Sequence, residues 1–207
     1  MYAPYIKLLR LCLIISLAVS LSGCFYWFRA YQTYLQMDDF DEHFSITVTQ
    51  DFTVHFKHPR LFNDDFISLA KLQPSIKKQL KEGEFWQYIF RKIDLKGNTL
   101  LPETKFSVDL QFNSDDKIIS CAFSPLFLMI APPKFLEFSL RSLGSGEINK
   151  ETRQLKVDTS QLDKINADLP LKSHVLAQLG EPLSIEHLEK NDIYMYHFQL
   201  DTHDIES

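Results

Sequence analysis

The sequence predicts an α+β domain, an antiparallel sheet with short helices packed on one face. Three stretches predict it. Phe106, Val108, Leu110 and Phe112 alternate with Lys105, Ser107, Asp109 and Gln111, and the turn residues Asn113-Ser114-Asp115-Asp116 lead to the apolar run Ile118 to Phe123. That is the pattern of an antiparallel hairpin with one buried face. Residues 45–56 repeat the period of two through Ile46, Val48, Phe52, Val54 and Phe56. Between Pro133 and Gly144, by contrast, Phe135, Leu136, Leu140 and Leu143 fall largely on one side of a helix, which Gly144 ends.

Composition narrows the function classes. With 45% apolar and 24% charged residues, and only 6 Gly and 9 Pro in 207 positions, the chain is neither a low-complexity sequence nor a rod. Its 17 Phe, 8 Tyr and 2 Trp supply a large apolar area to bury. Lys7 and Arg10 are the charged residues of the first 23 positions, so the rest of the chain sets 20 bases against 27 acids. A mildly acidic body lacks the clustered cations that displace counterions from phosphates, and nucleic acid is excluded as a partner.

Residues 1–23 read as a signal peptide. A basic start ending at Arg10 precedes the apolar run Leu11 to Leu21, and small residues Ser22-Gly23 stand before Cys24. Leu21-Ser22-Gly23-Cys24 resembles the bacterial lipoprotein box. The resemblance implies a diacylglyceryl group on the Cys24 thiol, cleavage before Cys24 and further acylation of the freed amine, which together hold a soluble body to a bilayer. Phe25 rather than Asp after the cysteine resembles the signal for the outer membrane. The competing expectation is an uncleaved inner-membrane helix, because no charge interrupts Leu11 to Phe28. The box, its distance from the start and the preceding apolar run all favour the lipoprotein. Of the three cysteines, Cys12 is then removed and Cys24 acylated, leaving Cys121 in an apolar strand as a small core residue.

The elements follow in order. Over residues 24–44, Phe28, Tyr31, Tyr34 and Leu35 recur at helical spacing before the acidic run Met37 to His43, predicting a short helix at the membrane interface and then an acidic connector. Residues 45–56 predict one long or bent strand, stopped by Pro59. Asn63 predicts the cap of a helix presenting Phe66, Leu69 and Ala70, and Ser75 to Leu80 a further helical turn or two before Gly83. Phe85 to Phe90 predicts a strand, and Pro125 to Pro133 either a buried connection, which is favoured because soluble domains seldom expose large patches, or an exposed apolar patch that meets a partner. A polar stretch after Gly144, with a strand around Gln154 to Val157, separates a body over 45–150 from a unit over 151–207. Whether the two are related sub-units the residues leave open.

In the last unit a turn at Asp168-Leu169-Pro170 precedes a helix through Lys172 to Leu179. Gly180 and Pro182 stop it, and Leu183 to Leu188 pairs with Ile193 to Leu200. Leu179-Gly180-Glu181-Pro182, followed by a hairpin bearing Tyr194, Tyr196 and Phe198, is similar to the SmpA/OmlA (BamE-like) domain of small outer-membrane lipoproteins. The match covers about forty residues, and Asp168-Leu169-Pro170-Leu171 replaces the family's Gly-Met-Thr signal. The resemblance implies helices on a small sheet that binds other envelope proteins.

Residues with chemistry to offer do not assemble into a site. His55 and His58 form a His-x-x-His pair with no further ligand at metal spacing, and His187 and His197 sit on the two arms of the last hairpin. Ser142 to Gly146 lacks a nucleophile elbow and reads as a helix end; Asp64-Asp65 and Asp115-Asp116 occupy predicted caps and turns. The expectation is therefore a non-enzymatic protein without metal or cofactor: a lipid-anchored periplasmic interaction module, contacting the membrane through Cys24 and an envelope protein through an unassigned surface. The alternative is a periplasmic carrier whose aromatic sheet and Phe123 to Ala131 line a pocket for an apolar ligand.

Overall fold

The computed structural model describes residues 25–144, 147–149, 154–156, 169–189 and 191–202. Residues 25–35 are the described part of helix α1, and a turn leads into the short α2 (Phe40–His43). The body continues as β1 (Phe44–Val48), β2 (Phe52–Phe56), α3 (Asn63–Ala70), β3 (Ile76–Leu80), β4 (Gly83–Lys92), β5 (Lys105–Phe112), β6 (Ile118–Phe123), α4 (Pro125–Leu128) and α5 (Pro133–Gly144). A small hairpin joins β7 (Glu147–Asn149) to β8 (Gln154–Lys156), and α6 (Lys172–Leu179), β9 (Ser184–His187), β10 (Asp192–Met195) and β11 (Phe198–Leu200) close the order.

Seven strands make one antiparallel sheet in the order β1-β2-β6-β5-β4, with β3 and β11 end to end along the outer edge of β4. The fold class is α+β. Register sorts the two faces. Ile46, Val54, Cys121, Leu110 and Trp86 form one row, and Val48, Phe52, Phe123, Val108 and Tyr88 the next. The reverse face carries Thr47, Thr53, Ala122, Asp109 and Gln87 in the equivalent row. Alternation at period two thus makes one face apolar from β1 to β4, with Lys77 of β3 ending the Trp86 row, and the helices cover that face. Phe66 of α3 meets Phe112 edge-on at 5.7 Å, Phe127 of α4 stacks on Phe123 at 5.1 Å, and Leu136 and Leu140 of α5 pack with Phe40 against Phe44, Phe52 and Val54. Each such apolar side chain contributes about 1.5–3 kcal/mol when fully buried.

The outer edge of β4 is satisfied along its length. Between β3 and β11, the Ile89 N–H donates to Ser75 Oγ (2.9 Å) and the Asp201 N–H donates to the Ile89 carbonyl (2.8 Å). Ser75 is fully buried for this purpose. The turn from β3 to β4 needs Gly83, whose φ is +123° and where a Cβ would collide with the Phe112 carbonyl oxygen.

Four local expectations are corrected. Residues 45–56 are two strands, not one, because Thr49 to Asp51 reverse the chain. Ser75 to Leu80 is not helical: Ile76 to Leu80 pair with β4, and Lys77 Nζ lies 4.2 Å from the Trp86 ring centre. Asn63 is the first residue of α3 rather than its cap, and it is Asp65 that accepts the Phe62 N–H (2.7 Å). Finally, the last hairpin splits at Tyr196-His197, so Ile193 to Met195 pair with β9 while Phe198 to Leu200 leave it to join β4.

Candidate functional site

Cys24 lies outside the described residues, which begin at the next position with α1. The described residues of α1 read FYWFRAYQTYL, with Arg29 the one charged residue among them. Arg29 points into the body. Its Nε and Nη2 donate to Asp65 Oδ1 at 3.1 and 2.6 Å, and its guanidinium lies 4.5 Å over the Phe62 ring and 4.7 Å over the Phe25 ring. Thr33 and Gln36 follow it inward at 6% and 7% exposure, Gln36 Nε2 donating to the His58 carbonyl (3.0 Å). Phe25, Phe28, Tyr31 and Leu35 face outward at 58%, 54%, 37% and 46%. Steps of 100° per residue place these four within one third of the helix circumference.

The polarity of α1 is therefore inverted. A helix on the surface of a water-soluble domain turns its apolar stripe to the core; this one turns Arg29 and Thr33 to the protein and Phe25, Phe28, Tyr31 and Leu35 away, with Tyr26, Trp27, Ala30, Gln32 and Tyr34 half-buried between. The acidic stretch that follows is not a free connector throughout, since Phe40 is buried against Phe44 and the exposed Asp41 pairs with Arg141 of α5 at 2.8 Å. The Arg141 hydrogen bond holds the Asp41 carboxyl below the usual carboxylate range.

A second feature lies between α6 and the hairpin of β9 and β10. An open cleft of about 430 Å³ is lined by Lys172, Val175, Leu176, Asp192, Tyr194 and Tyr196. Lys172 Nζ stands 4.6 Å over the Tyr194 ring and 3.7 Å from Asp192. Asp192 also accepts from His187 (2.8 Å), and that bond, with Lys172 adding to it, lowers its carboxyl pKa. The cleft's charges are paired within its own walls, so it offers apolar and aromatic surface rather than a free ionic group.

The histidines go separate ways. His55 lies on the polar sheet face beside Thr47 Oγ1 (3.1 Å), whereas His58 Nδ1 faces His43 Nδ1 at 3.3 Å. His187 pairs with Asp192, and His197 sits in the break between β10 and β11. Among the described residues no three His, Cys, Asp or Glu side chains gather to hold a metal ion. Cys121 lies in the apolar row, and burial raises its thiol pKa to about 12. No described helix is long and apolar enough to cross a membrane.

Sequence reading missed the Arg29–Asp65 pair. Its signal was present: a single cation inside a long run without charges needs an acid to receive it once buried. The connection after Phe123 is half-buried, its Phe127 filling space against Phe106 and Phe123 while Met129 and Ile130 remain exposed. Compared with protein-family models, curated proteins and solved structures, the chain matches none of them.

Proposed function

We propose that the chain is a lipid-anchored periplasmic interaction module of a bacterial outer membrane, a non-enzymatic accessory in envelope or outer-membrane assembly. The observation that carries this reading is Leu21-Ser22-Gly23-Cys24, which follows a basic start and an apolar run and stands at the distance from Met1 that a signal peptide requires. Two features add support. Leu179-Gly180-Glu181-Pro182 stands between a helix and the β9–β10 hairpin, which keeps Tyr194 of the three aromatic residues behind the SmpA/OmlA resemblance, whereas Phe198 joins β4. Around it lie exposed apolar side chains, Ile185, Leu188, Ile193 and Met195, suited to a protein partner.

Replacing Cys24 by Ser in the producing bacterium tests the anchor. The expected result is loss of the acyl mass and release of the body from the membrane fraction. An unchanged mass and unchanged fractionation overturn the reading. Crosslinking in intact cells then identifies the neighbour, which is expected to be an envelope protein.

A further inference from the structure

We propose that the outward face of α1 is a lipid-contact surface: Phe25, Phe28, Tyr31 and Leu35 lie in the interfacial layer of the bilayer that holds Cys24, fixing the attitude of the sheet to the membrane. The proposal rests on the anchor reading above and adds to it a surface and an orientation.

The inverted polarity of α1 is the first argument. Exposing two Phe, a Tyr and a Leu in one stripe costs free energy in water, while turning Arg29, Thr33 and Gln36 inward requires the body to supply their partners. It does for Arg29 through Asp65 and for Gln36 through the His58 carbonyl, while Thr33 Oγ1 donates back to the Arg29 carbonyl of its own helix (3.1 Å). Such an arrangement is stable where the outer medium is apolar. The Arg29 charge in particular is neutralised by a buried carboxylate and covered by aromatic rings, so the outer face of α1 presents no charge to a hydrocarbon boundary.

Lipid, rather than a protein, is the occupant because of what precedes the helix. The run without charged residues from Leu11 continues to Phe28, passing through the acylation position, so acyl chains would enter the bilayer one residue before Phe25. The helical residues 25–35 follow directly on Cys24 and so lie at the membrane surface by connectivity, and at 1.5 Å per residue they track that surface for about 16 Å. Phe and Tyr together suit the boundary, where ring faces meet acyl chains and hydroxyls meet headgroups. The segment is tied to the body by the buried pair of Arg29 with Asp65 on α3, by Gln36 on the His58 carbonyl, and just beyond by Phe40 buried against Phe44. An immersed α1 therefore carries the whole sheet in one orientation.

The test uses the full processed chain in vesicles of phosphatidylethanolamine and phosphatidylglycerol, a fraction of them brominated in the acyl chains. An environment-sensitive fluorophore is placed on F28C, L35C, E42C or L95C. All four positions are exposed and the Cys121 thiol is buried away from the reagent. Unchanged thermal unfolding confirms that each labelled chain is folded. The expected result is quenching several-fold stronger at positions 28 and 35 than at 42 and 95. Equal quenching at the four positions overturns the proposal. So does a label at position 28 shielded from both brominated lipid and aqueous iodide, which would mean that a protein covers the stripe. Intact mass on the same preparation reports acylation separately. Should the chain prove unprocessed, the anchor reading fails alone, and the same quenching comparison, made with Cys12 and Cys24 replaced by Ser, still decides lipid contact.

Discussion

Lys92, on the last position of β4, donates from Nζ to the Leu179 carbonyl at 2.5 Å, so a sheet lysine caps the C-terminus of α6 across 87 residues of chain. The same ammonium donates to the Glu181 carbonyl (2.6 Å) and lies 5.1 Å from the Tyr196 ring centre, itself held by a hydrogen bond from its hydroxyl to the Gly180 carbonyl (3.1 Å). The negative end of the α6 dipole meets the charge there. Burial lowers the Lys92 pKa below its ordinary 10.5, so the charge is held at a cost that the two carbonyls offset in part. That cost fades as pH rises towards the unfolded value.

Replacing Lys92 by Met keeps the apolar stem and removes both donors. A buried acceptor left without a partner costs about 1–3 kcal/mol, and the Leu179 carbonyl is left so, which outweighs the relief from desolvation, while the carbonyl of the exposed Glu181 turns to water. Urea unfolding should show a loss of about 1–2 kcal/mol. Amide exchange should rise more in α6, β9 and β10 than in β4 and β5. Uniform exchange across the chain would show that Lys92 is not what ties α6 to the sheet.

Tyr88 offers a prediction of opposite sign. Its hydroxyl is buried in the sheet core with no partner among the described residues, and burial raises its pKa from 10.0 to about 12. The folded state then keeps this proton after the unfolded chain has lost it. Its contribution is intact below pH 10 and is lost as pH climbs from about 10 to about 12. Tyr88→Phe should raise stability at neutral pH by about 1–3 kcal/mol, the cost of an unmet buried polar group. It should also flatten the alkaline fall, measured as the urea midpoint against pH.

Cys121 permits a count. Its thiol pKa is raised to about 12 by burial, with the Asp109 charge adding to it, so at pH 8 it is protonated and covered. The processed, acylated chain should show no thiol reactive to an aromatic disulfide reagent while folded, and one after denaturation. Two or three thiols on denaturation would mean that Cys24 or Cys12 is still present and free.

How much of this was legible in the sequence depends on whether the signal is local. The β5–β6 hairpin was, since Phe106 to Phe112 alternate without a break and Asn113 to Asp116 mark the turn. The turn at Thr49 to Asp51 carries no Gly, Pro or Asn, and so β1 and β2 read as one strand. Ile76 to Leu80 holds good helix formers, but the open edge of β4 and the Trp86 ring under Lys77 draw it into the sheet. Phe198 leaves its hairpin for the same edge, where Asp201 receives Arg91 (2.5 Å), a pairing 110 residues apart that no local pattern announces. The apolar stripe of α1 was visible as spacing. Which way it faces was not, because that is set by Asp65, 36 residues further on.

The Arg29–Asp65 pair gives the last prediction. Asp65 is fully buried and accepts from both Arg29 and the Phe62 N–H, so losing the cation leaves a carboxylate that water cannot reach. Breaking a buried pair at one partner costs about 3–5 kcal/mol, whereas an exposed pair contributes about 1 kcal/mol or less. Arg29→Met should therefore destabilise by the larger figure in urea unfolding. The double replacement Arg29→Met with Asp65→Asn should recover most of the loss, because Asn still accepts from Phe62 and no charge remains. A single replacement that costs about 1 kcal/mol or less would place the pair in effective contact with water. The inward turn of α1 would then need some other cause, since the buried carboxylate is what selects the face of the helix that carries its one charge.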